Sequence, residues 1–400
     1  MNFLFSRIQN KLMAAFVLVL LIPLLLVGFY SYRTTTTLLT NAMKDAERTR
    51  AETQSKTVSA FLENVMNETL FLSQNEYLNA LITARRTGNL EAIEKAREGL
   101  EGDFKYFAKN AGVYHQVCYI NEKGKEVVKI LNKRRIMTAA TKAELDNQAS
   151  RYYFQETMEL EQSQVYVSNL DLNIVKGEIE VPHTPVIRYA TPVFNSNGKR
   201  AGIIILNVLA NYFLGTVATN PGETGEHYLV NEVDGTFLVH PDENKQWGRD
   251  LKTGVTLKSD LPQLAAAAEQ IGSEGAIEAT DKLITISKIV PPGQAKFHWK
   301  LISIKPLSEL LAPVNNFTYM FLLLSAISLV GSVILALFMA RGISSPVMHL
   351  CRVADQISQG DLDVEIKVTA KDEIGQLAES LGRMRASLQA AIVRLRKKRV

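Results

Sequence analysis

Residues 317–340 read FTYMFLLLSAISLVGSVILALFMA, 24 residues without a charge. As an α-helix this run is roughly 36 Å long at 1.5 Å per residue, enough to cross a hydrocarbon core of about 30 Å. A second uncharged run, LMAAFVLVLLIPLLLVGFYSY, fills positions 12–32 between Lys11 and Arg33. It is too long for a secretory h-region, and no A-x-A cleavage site follows it. Pro23 inside it is the kind of defect that neighbouring helices accommodate in a membrane. Two spans are therefore expected, with aqueous pieces before, between and after them.

Flanking charge orients the pieces. Arg7 and Lys11 precede the first run, while Arg341, Arg352 and the tail RLRKKRV follow the second. The positive-inside bias places the N-terminal segment 1–11 and residues 341–400 in the cytoplasm, and 33–312 outside. Cys118 and Cys351 then fall on opposite sides and cannot pair with each other. The net charge of +4 on 400 residues is close to balance, which argues against a nucleic-acid partner. The basic tail 395–400 reads as a solvated helix end near an anionic leaflet. No HExxH pattern, nucleophile elbow or phosphate-cradling glycine loop occurs, so no catalytic site is expected within these residues. No cofactor is expected either. His240 and Asp242 make at most two metal ligands, short of a site, and read as part of an Asp-capped turn near Trp247.

After the second span, Ile343, Val347, Leu350, Ala354 and Ile357 recur at steps of four and three, one narrow apolar stripe on a helix. Gly360 ends it. Leu362 and Ile366 anchor a connector, and Asp372 caps a second helix with Glu373 in its electropositive first turn. There Ile374, Leu377, Leu381, Met384, Leu388, Ala391 and Leu395 keep a 3, 4 spacing without a miss, a coiled-coil seam. One copy of two such short helices cannot bury both stripes, so a homodimer is inferred.

These features in order, Pro346 near the start, Gly-Asp-Leu at 360–362 and Asp-Glu-Ile-Gly at 372–375, make residues 341–394 resemble a HAMP domain. The resemblance implies a dimeric, parallel four-helix bundle that relays a change of packing.

The outer piece opens with a helical reading from about Thr34 to Leu81. Val58, Phe61, Leu62, Val65, Thr69 and Leu72 form one amphipathic face. An earlier, weaker seam runs through Leu39, Ala42, Ala46, Thr49 and Thr53. Packing on its own domain and a dimer interface both remain open for this helix. Next, VYHQVCYINEKGKEVVKIL reads as two alternating strands about a turn, echoed about a hundred residues later by EHYLVNEVDGTFLVH. Each unit leads to a further hairpin and then a hydrophobic helix, LANYFLGTVA or LSELLAPV. The region reads as a duplicated antiparallel α+β module.

The stretches RYYFQETMELEQSQVYVSNLDLN, EIEVPHTPVIRYATPVFNSNGKRAGIIILNV and GEHYLVNEVDGTFLVHPDENKQWGRDL resemble the double Cache sensor, two tandem PAS-like modules behind a long N-terminal helix. The resemblance implies a helix over 33–81, a membrane-distal module over 82–215 and a membrane-proximal module over 216–312. It also implies a bacterial inner-membrane location and a small ligand in the distal module. In the amino-acid-binding subset of that family the motif is Arg, one residue, then Trp and Tyr, followed by a later Tyr and an Asp. Arg151 matches, Tyr153 replaces the Trp, Phe154 replaces the Tyr, Tyr166 follows, and Ser168 stands where an acid is expected. Arg151, Tyr153, Tyr166, Asp171 and Arg188 are the candidate ligand residues, with Glu180 and His183 near the same strand. A guanidinium grips a carboxylate in two places, and an aromatic wall meets an ammonium face. An arginine on a mixed strand can equally pair with a neighbouring acid.

A transmembrane sensory receptor for a carboxylate or amino acid is the function that this likeness implies. A front end of a sensor histidine kinase, diguanylate cyclase or methyl-accepting chemoreceptor, with the output beyond residue 400, fits the same residues. So does an output-less regulatory subunit.

Overall fold

The computed structural model describes residues 8–133, 136–175, 177–218, 224–367 and 371–397. Arg7 of the N-terminal flank and 398–400 of the basic tail lie outside them, as does the side chain of Leu395. The chain divides into two units, one of residues 40–310 and one combining 1–39 with 311–400.

Helix α1 (Ile8–Ser73) contributes to both units. Within 40–310 it buries Ala51, Ser55, Val58, Leu62, Val65, Thr69 and Leu72, a stripe at steps of four and three. The reading of this face as packing on its own domain is met. The second seam stays at the surface, with Ala42, Ala46, Thr49 and Thr53 exposed. The helix expected to reach Leu81 ends instead at Ser73. Asn75 breaks it: its side-chain oxygen accepts the Leu78 N–H at 3.1 Å and caps α2 (Glu76–Thr87). Such a cap satisfies an orphan donor and makes a fresh start cheaper than continuing the helix. Helix α3 (Leu90–Ala111) then returns, burying Ala96, Leu100, Phe104 and Ala108.

The first sheet takes strands β1 (Tyr114–Asn121), β2 (Glu126–Lys133) and β3 (Ile136–Ala139). Helix α4 (Tyr152–Glu159) follows, then the short strands β4 (Tyr166–Val167), β5 (Asp171–Leu172), β6 (Ile174–Val175) and β7 (Glu178–Ile179). The ten-residue strands β8 (Pro185–Phe194) and β9 (Arg200–Leu209) complete it, and α5 (Asn211–Val217) follows. The strand order is β3-β2-β1-β9-β8-β4, antiparallel throughout, with β5 also on β8 and β6-β7 a separate hairpin. Strands β8 and β9 are buried almost without interruption. Alternation fails there because both faces of the sheet are covered. Tyr114, Tyr119, Tyr189, Leu206 and Val208 face the core shared with α1 and α3, while Cys118, Ile120, Ala190, Ile203 and Ile205 meet Tyr153 and Phe154 of α4.

The second sheet comprises β10 (Glu226–Asn231), β11 (Phe237–Val239), β12 (Gly275–Ala279), β13 (Lys282–Ile289) and β14 (Trp299–Pro306). Helices α6 (Leu257–Asp260) and α7 (Pro262–Ile271) lie between β11 and β12, and α8 (Leu307–Leu310) follows β14. Its order, β11-β10-β14-β13-β12, repeats the run β2-β1-β9-β8 of the first sheet. The duplication read from the sequence is thus a repeat of topology.

In the other unit, the N-terminal part of α1 and α9 (Ala312–Met339) are, among the described residues, the two helices long and apolar enough to span a bilayer. They meet through small residues. A Cβ on Gly28 would fall 2.4 Å from the Phe321 ring, and Ser332 and Ala336 of α9 are buried. Small side chains let helices approach where no hydrophobic effect drives them together. Five residues of π-helix, Ala340–Ser344, lead into α10 (Ser345–Ser358), with Pro346 in its first turn. Leu350, Val353 and Ile357 are buried, and Gly360 adopts φ +98°, a conformation costly for residues with a Cβ. Leu362 and Ile366 are half-buried, and Ile366 approaches α11 (Glu373–Lys397) at Gly382. The Asp372 carboxylate caps α11 by accepting the Ile374 and Gly375 N–H groups at 3.0 and 3.2 Å. Glu373 opens the helix, as expected. Along the seam Ile374 and Leu381 are half-buried, but Leu377, Met384 and Leu388 are 50%, 47% and 42% exposed.

Candidate functional site

The ligand candidates converge between α4 and the first sheet. Arg151 immediately precedes α4, which lies over β8 and β9. Tyr166 sits on β4, Asp171 on β5 and Arg188 on β8, and both short strands pair with β8. The sequence separates these residues by up to 37 positions, and the antiparallel pairing of β4, β5 and β8 closes that gap.

The buried Arg188 guanidinium donates to Asp171 Oδ1 at 2.6 Å, and the Tyr152 hydroxyl donates to Asp171 Oδ2 at 3.2 Å. Arg188 is thus the arginine on a mixed strand that finds an acid. Burial pushes the Asp171 carboxyl above its usual range, opposed by the charge and hydrogen bond of Arg188. The Tyr152 hydroxyl is pushed up to about 12, by burial first and by Asp171 next. Both guanidinium carbons approach the Tyr153 ring, that of Arg151 at 5.7 Å and that of Arg188 at 5.9 Å from the centroid. This is cation–π range.

Arg151 differs from Arg188 in having no carboxylate partner among the described residues, and its Nε is buried without a hydrogen bond. Tyr166 is buried with Phe154 and Tyr153 in the apolar layer under α4. Ser168 caps no acid: its hydroxyl accepts the Arg188 N–H at 3.0 Å. Glu180 belongs to the polar rim, accepting from Asn173 at 3.0 Å, whereas His183 is exposed and takes no part.

Several members went unread in the sequence. Tyr153 donates to Gln148 at 3.0 Å, Gln148 donates to Glu126 at 3.0 Å, and Lys129 closes the chain on Glu126 at 3.0 Å. His115, on β1, stands 3.2 Å from Asn173. Burial lowers its pKa, Glu180 works the other way, and Arg188 and Lys129 lower it further. No motif could have flagged these polar residues, since each is an ordinary strand or loop residue until β2, β1, β9 and β8 are assembled into one sheet.

Two segments of the second sheet's half brace the site from below. Gln294 N–H bonds to Val165 O at 2.8 Å, and Gln294 bridges Tyr166. Lys296 pairs with Glu156 of α4 at 2.7 Å. Asp250 accepts the Leu172 N–H at 2.9 Å, and Arg249 donates to Leu170 O at 3.2 Å. Gly293 makes the first contact feasible. It holds φ +110°, and a Cβ there would lie 2.8 Å from Val167 and 3.0 Å from Val165 O.

Elsewhere, the Asp242 carboxylate accepts the Asn244 N–H at 3.0 Å, so it caps a turn, and His240 Nδ1 accepts the Asp242 N–H at 2.9 Å. Among the described residues no three His, Cys, Asp or Glu side chains converge on one point.

Residues 338–390 match the HAMP domain. A methyl-accepting chemotaxis protein described in Bacillus thuringiensis subsp. konkukian is 27% identical over 201 residues, covering 50% of this chain and 28% of that protein. McpA of Bacillus subtilis is 24% identical over 193 residues, covering 48% and 27%. The chain thus spans little more than a quarter of the length of these curated relatives. Among solved structures, a domain of a sensory box/GGDEF family protein from Vibrio parahaemolyticus superposes with a TM-score of 0.58 at 19% identity, covering 68% of this chain and 99% of that one. The periplasmic sensory domain of the Campylobacter jejuni chemoreceptor Tlp1 gives 0.51 at 14% identity, covering 69% and 99%. These likenesses concern the fold. Residues 57–287, more than half of the chain, match the sensor domain of bacterial histidine kinases, and the chain belongs to that sensor family, carrying a HAMP domain behind its second apolar helix.

Proposed function

We propose that this chain is the receiving part of a transmembrane receptor, and that a small carboxylate-bearing solute is held between α4 and the first sheet. Arg151 carries the reading. It is a cation with a buried, unbonded Nε beside an aromatic ring, next to a second arginine already fixed by its own acid. A carboxylate there would gain charge-assisted hydrogen bonds in a site of reduced dielectric. Tyr153 and Tyr166 wall the site, and Asp171 with Arg188 sets its polar floor. Residues 33–312 are assigned to the extracytoplasmic side and both chain ends to the cytoplasm.

Ligand contact at α4 would load the bracing segments at 249–250 and 293–296, and through them the second sheet, whose last strand leads in sequence to α9. The half-exposed seam of α11 supports a second copy as its partner, giving a four-helix HAMP bundle. Coupling of about 1–3 kcal/mol suffices to bias such a bundle, provided the ligand prefers one state. A chemotaxis-type output is favoured over a kinase or cyclase by the two Bacillus relatives.

The test is thermal unfolding of the full chain in detergent against a panel of small carboxylates and amino acids. A stabilising solute is expected, with the shift lost in Arg151→Ala. An undiminished shift in that variant refutes the site.

A further inference from the structure

A second cleft lies at the end of the first sheet next to α2, apart from the residues under α4. Two turns of like sequence form it, Asn121-Glu122-Lys123-Gly124-Lys125 and Asn195-Ser196-Asn197-Gly198-Lys199. They lie side by side because β1 and β9 pair, with Asn121 opposite Gly202. In each turn the leading asparagine oxygen accepts two backbone N–H groups at 2.9 and 3.0 Å, which fixes the loop. With the last turn of α2 they enclose about 420 Å³.

The cleft is strongly cationic. Arg85, Arg86, Lys123, Lys199 and Arg200 line it against one carboxylate, Glu122. Glu122 stands 3.8 Å from Arg85, beyond hydrogen-bond length, and Arg86, Lys123 and Lys199 enter no ion pair among the described residues. Arg200 is held from behind, donating to Leu160 O at 2.8 Å, pairing loosely with the exposed Glu161 at 3.6 Å and lying 5.4 Å from the Phe194 ring centroid. Its Nε is nonetheless buried without a partner. Like charges crowded around one concavity repel, and the repulsion is relieved by an anion placed among them. Planar guanidinium forks suit a tetrahedral oxyanion, and lysines add charge without demanding direction. With Glu122 near Arg85 and Glu161 near Arg200, three cations stay without an acid among the described residues, and a dianion offsets more of that charge than a monocarboxylate would.

We propose that this cleft binds a phosphate-type dianion, independently of the ligand under α4. The test uses the full chain in detergent, with binding measured by calorimetry and by thermal shift. Inorganic phosphate and glycerol phosphate are compared with sodium chloride at matched ionic strength. Saturable binding of either phosphate supports the proposal, and the tighter of the two tells a free ion from a phosphate ester. Removing exposed cations in Arg86→Gln/Lys199→Gln is expected to weaken binding roughly tenfold or more, while Arg151→Ala leaves it unchanged. Equal stabilisation by chloride, or full affinity in the double variant, overturns it. Loss of phosphate binding in Arg151→Ala overturns the independence of the two sites, and loss of carboxylate binding alone does not touch this cleft.

Discussion

Replacing Asp171 with alanine isolates the electrostatics of the site. The Arg188 side chain is 5% exposed and that of Asp171 20%, and their atoms meet at 2.6 Å. Removing the acid strands a buried guanidinium and takes away the acceptor of the Tyr152 hydroxyl. Breaking a buried pair from one side costs about 3–5 kcal/mol. At about 2–4 °C per kcal/mol for a unit of this size, the melting temperature of the 40–310 transition should fall by about 6–20 °C. Two controls make the reasoning specific. Asp171→Leu with Arg188→Met removes both charges and should recover most of the loss, because desolvating the pair offsets much of its attraction. Acetate or formate should partly rescue Asp171→Ala, since a free carboxylate can enter the vacated place beside Arg188, and should not rescue the double variant. Circular dichroism melts of the purified chain read all three. A loss in Asp171→Ala below about 1 kcal/mol, the range of exposed pairs, refutes the claim that the pair is buried and structural.

Other outcomes follow from single contacts. Asn75→Ala removes the cap on α2 and should cost about 1 kcal/mol in urea unfolding, whereas Asn75→Ser, which keeps a capping oxygen without setting a second carboxylate against Asp103, should retain most of the cap. His227 is buried with neither ring nitrogen hydrogen-bonded, facing Lys305 on β14 and Glu47 and Arg50 on α1. Its pKa is lowered by burial first, then by Lys305 and Arg50. Below the unfolded value of 6.5 the unfolded chain therefore binds a proton that the folded one resists. Stability is then complete above that pH and falls as acid is added, by at most about 1.4 kcal/mol per pH unit from this group. His227→Phe should remove that component from the pH profile of unfolding. Gly293→Val, forced into φ +110° against Val167, should free the 293–296 segment. Ligand stabilisation should survive, while ligand-dependent crosslinking in the HAMP region is lost. Leu388→Cys should form a disulfide-linked dimer in membranes under mild oxidation, and monomer alone would contradict a paired seam.

Periodicity and charge carried the sequence reading a long way because they report on local physics. An uncharged run of 24 residues meets only one solvent cheaply, and the unbroken seam from Ile374 onward states that a second surface is needed. Turn residues at Asn121–Gly124 and Asn231–Gly235 marked hairpins whose order the two sheets then repeat. Caps written in one residue, Asp372 and Gly360, lie where they were expected because they act on their nearest neighbours. Asn75 belongs to the same class, yet an amphipathic face that continues past it hid the break.

The site was legible only in part. Arg151, Tyr153, Tyr166, Asp171 and Arg188 were candidates from residue type and from the likeness to the double Cache family. Their division of labour could not be read that way, because which arginine meets the acid depends on the register of β5 against β8. His115, Gln148, Glu126 and Lys129 became a network only through strand pairing. Chemistry of this kind depends on distances between residues far apart in the chain. Sequence determined the local elements and their solvent; the packed sheet decided which charges are satisfied by a neighbour and which are not.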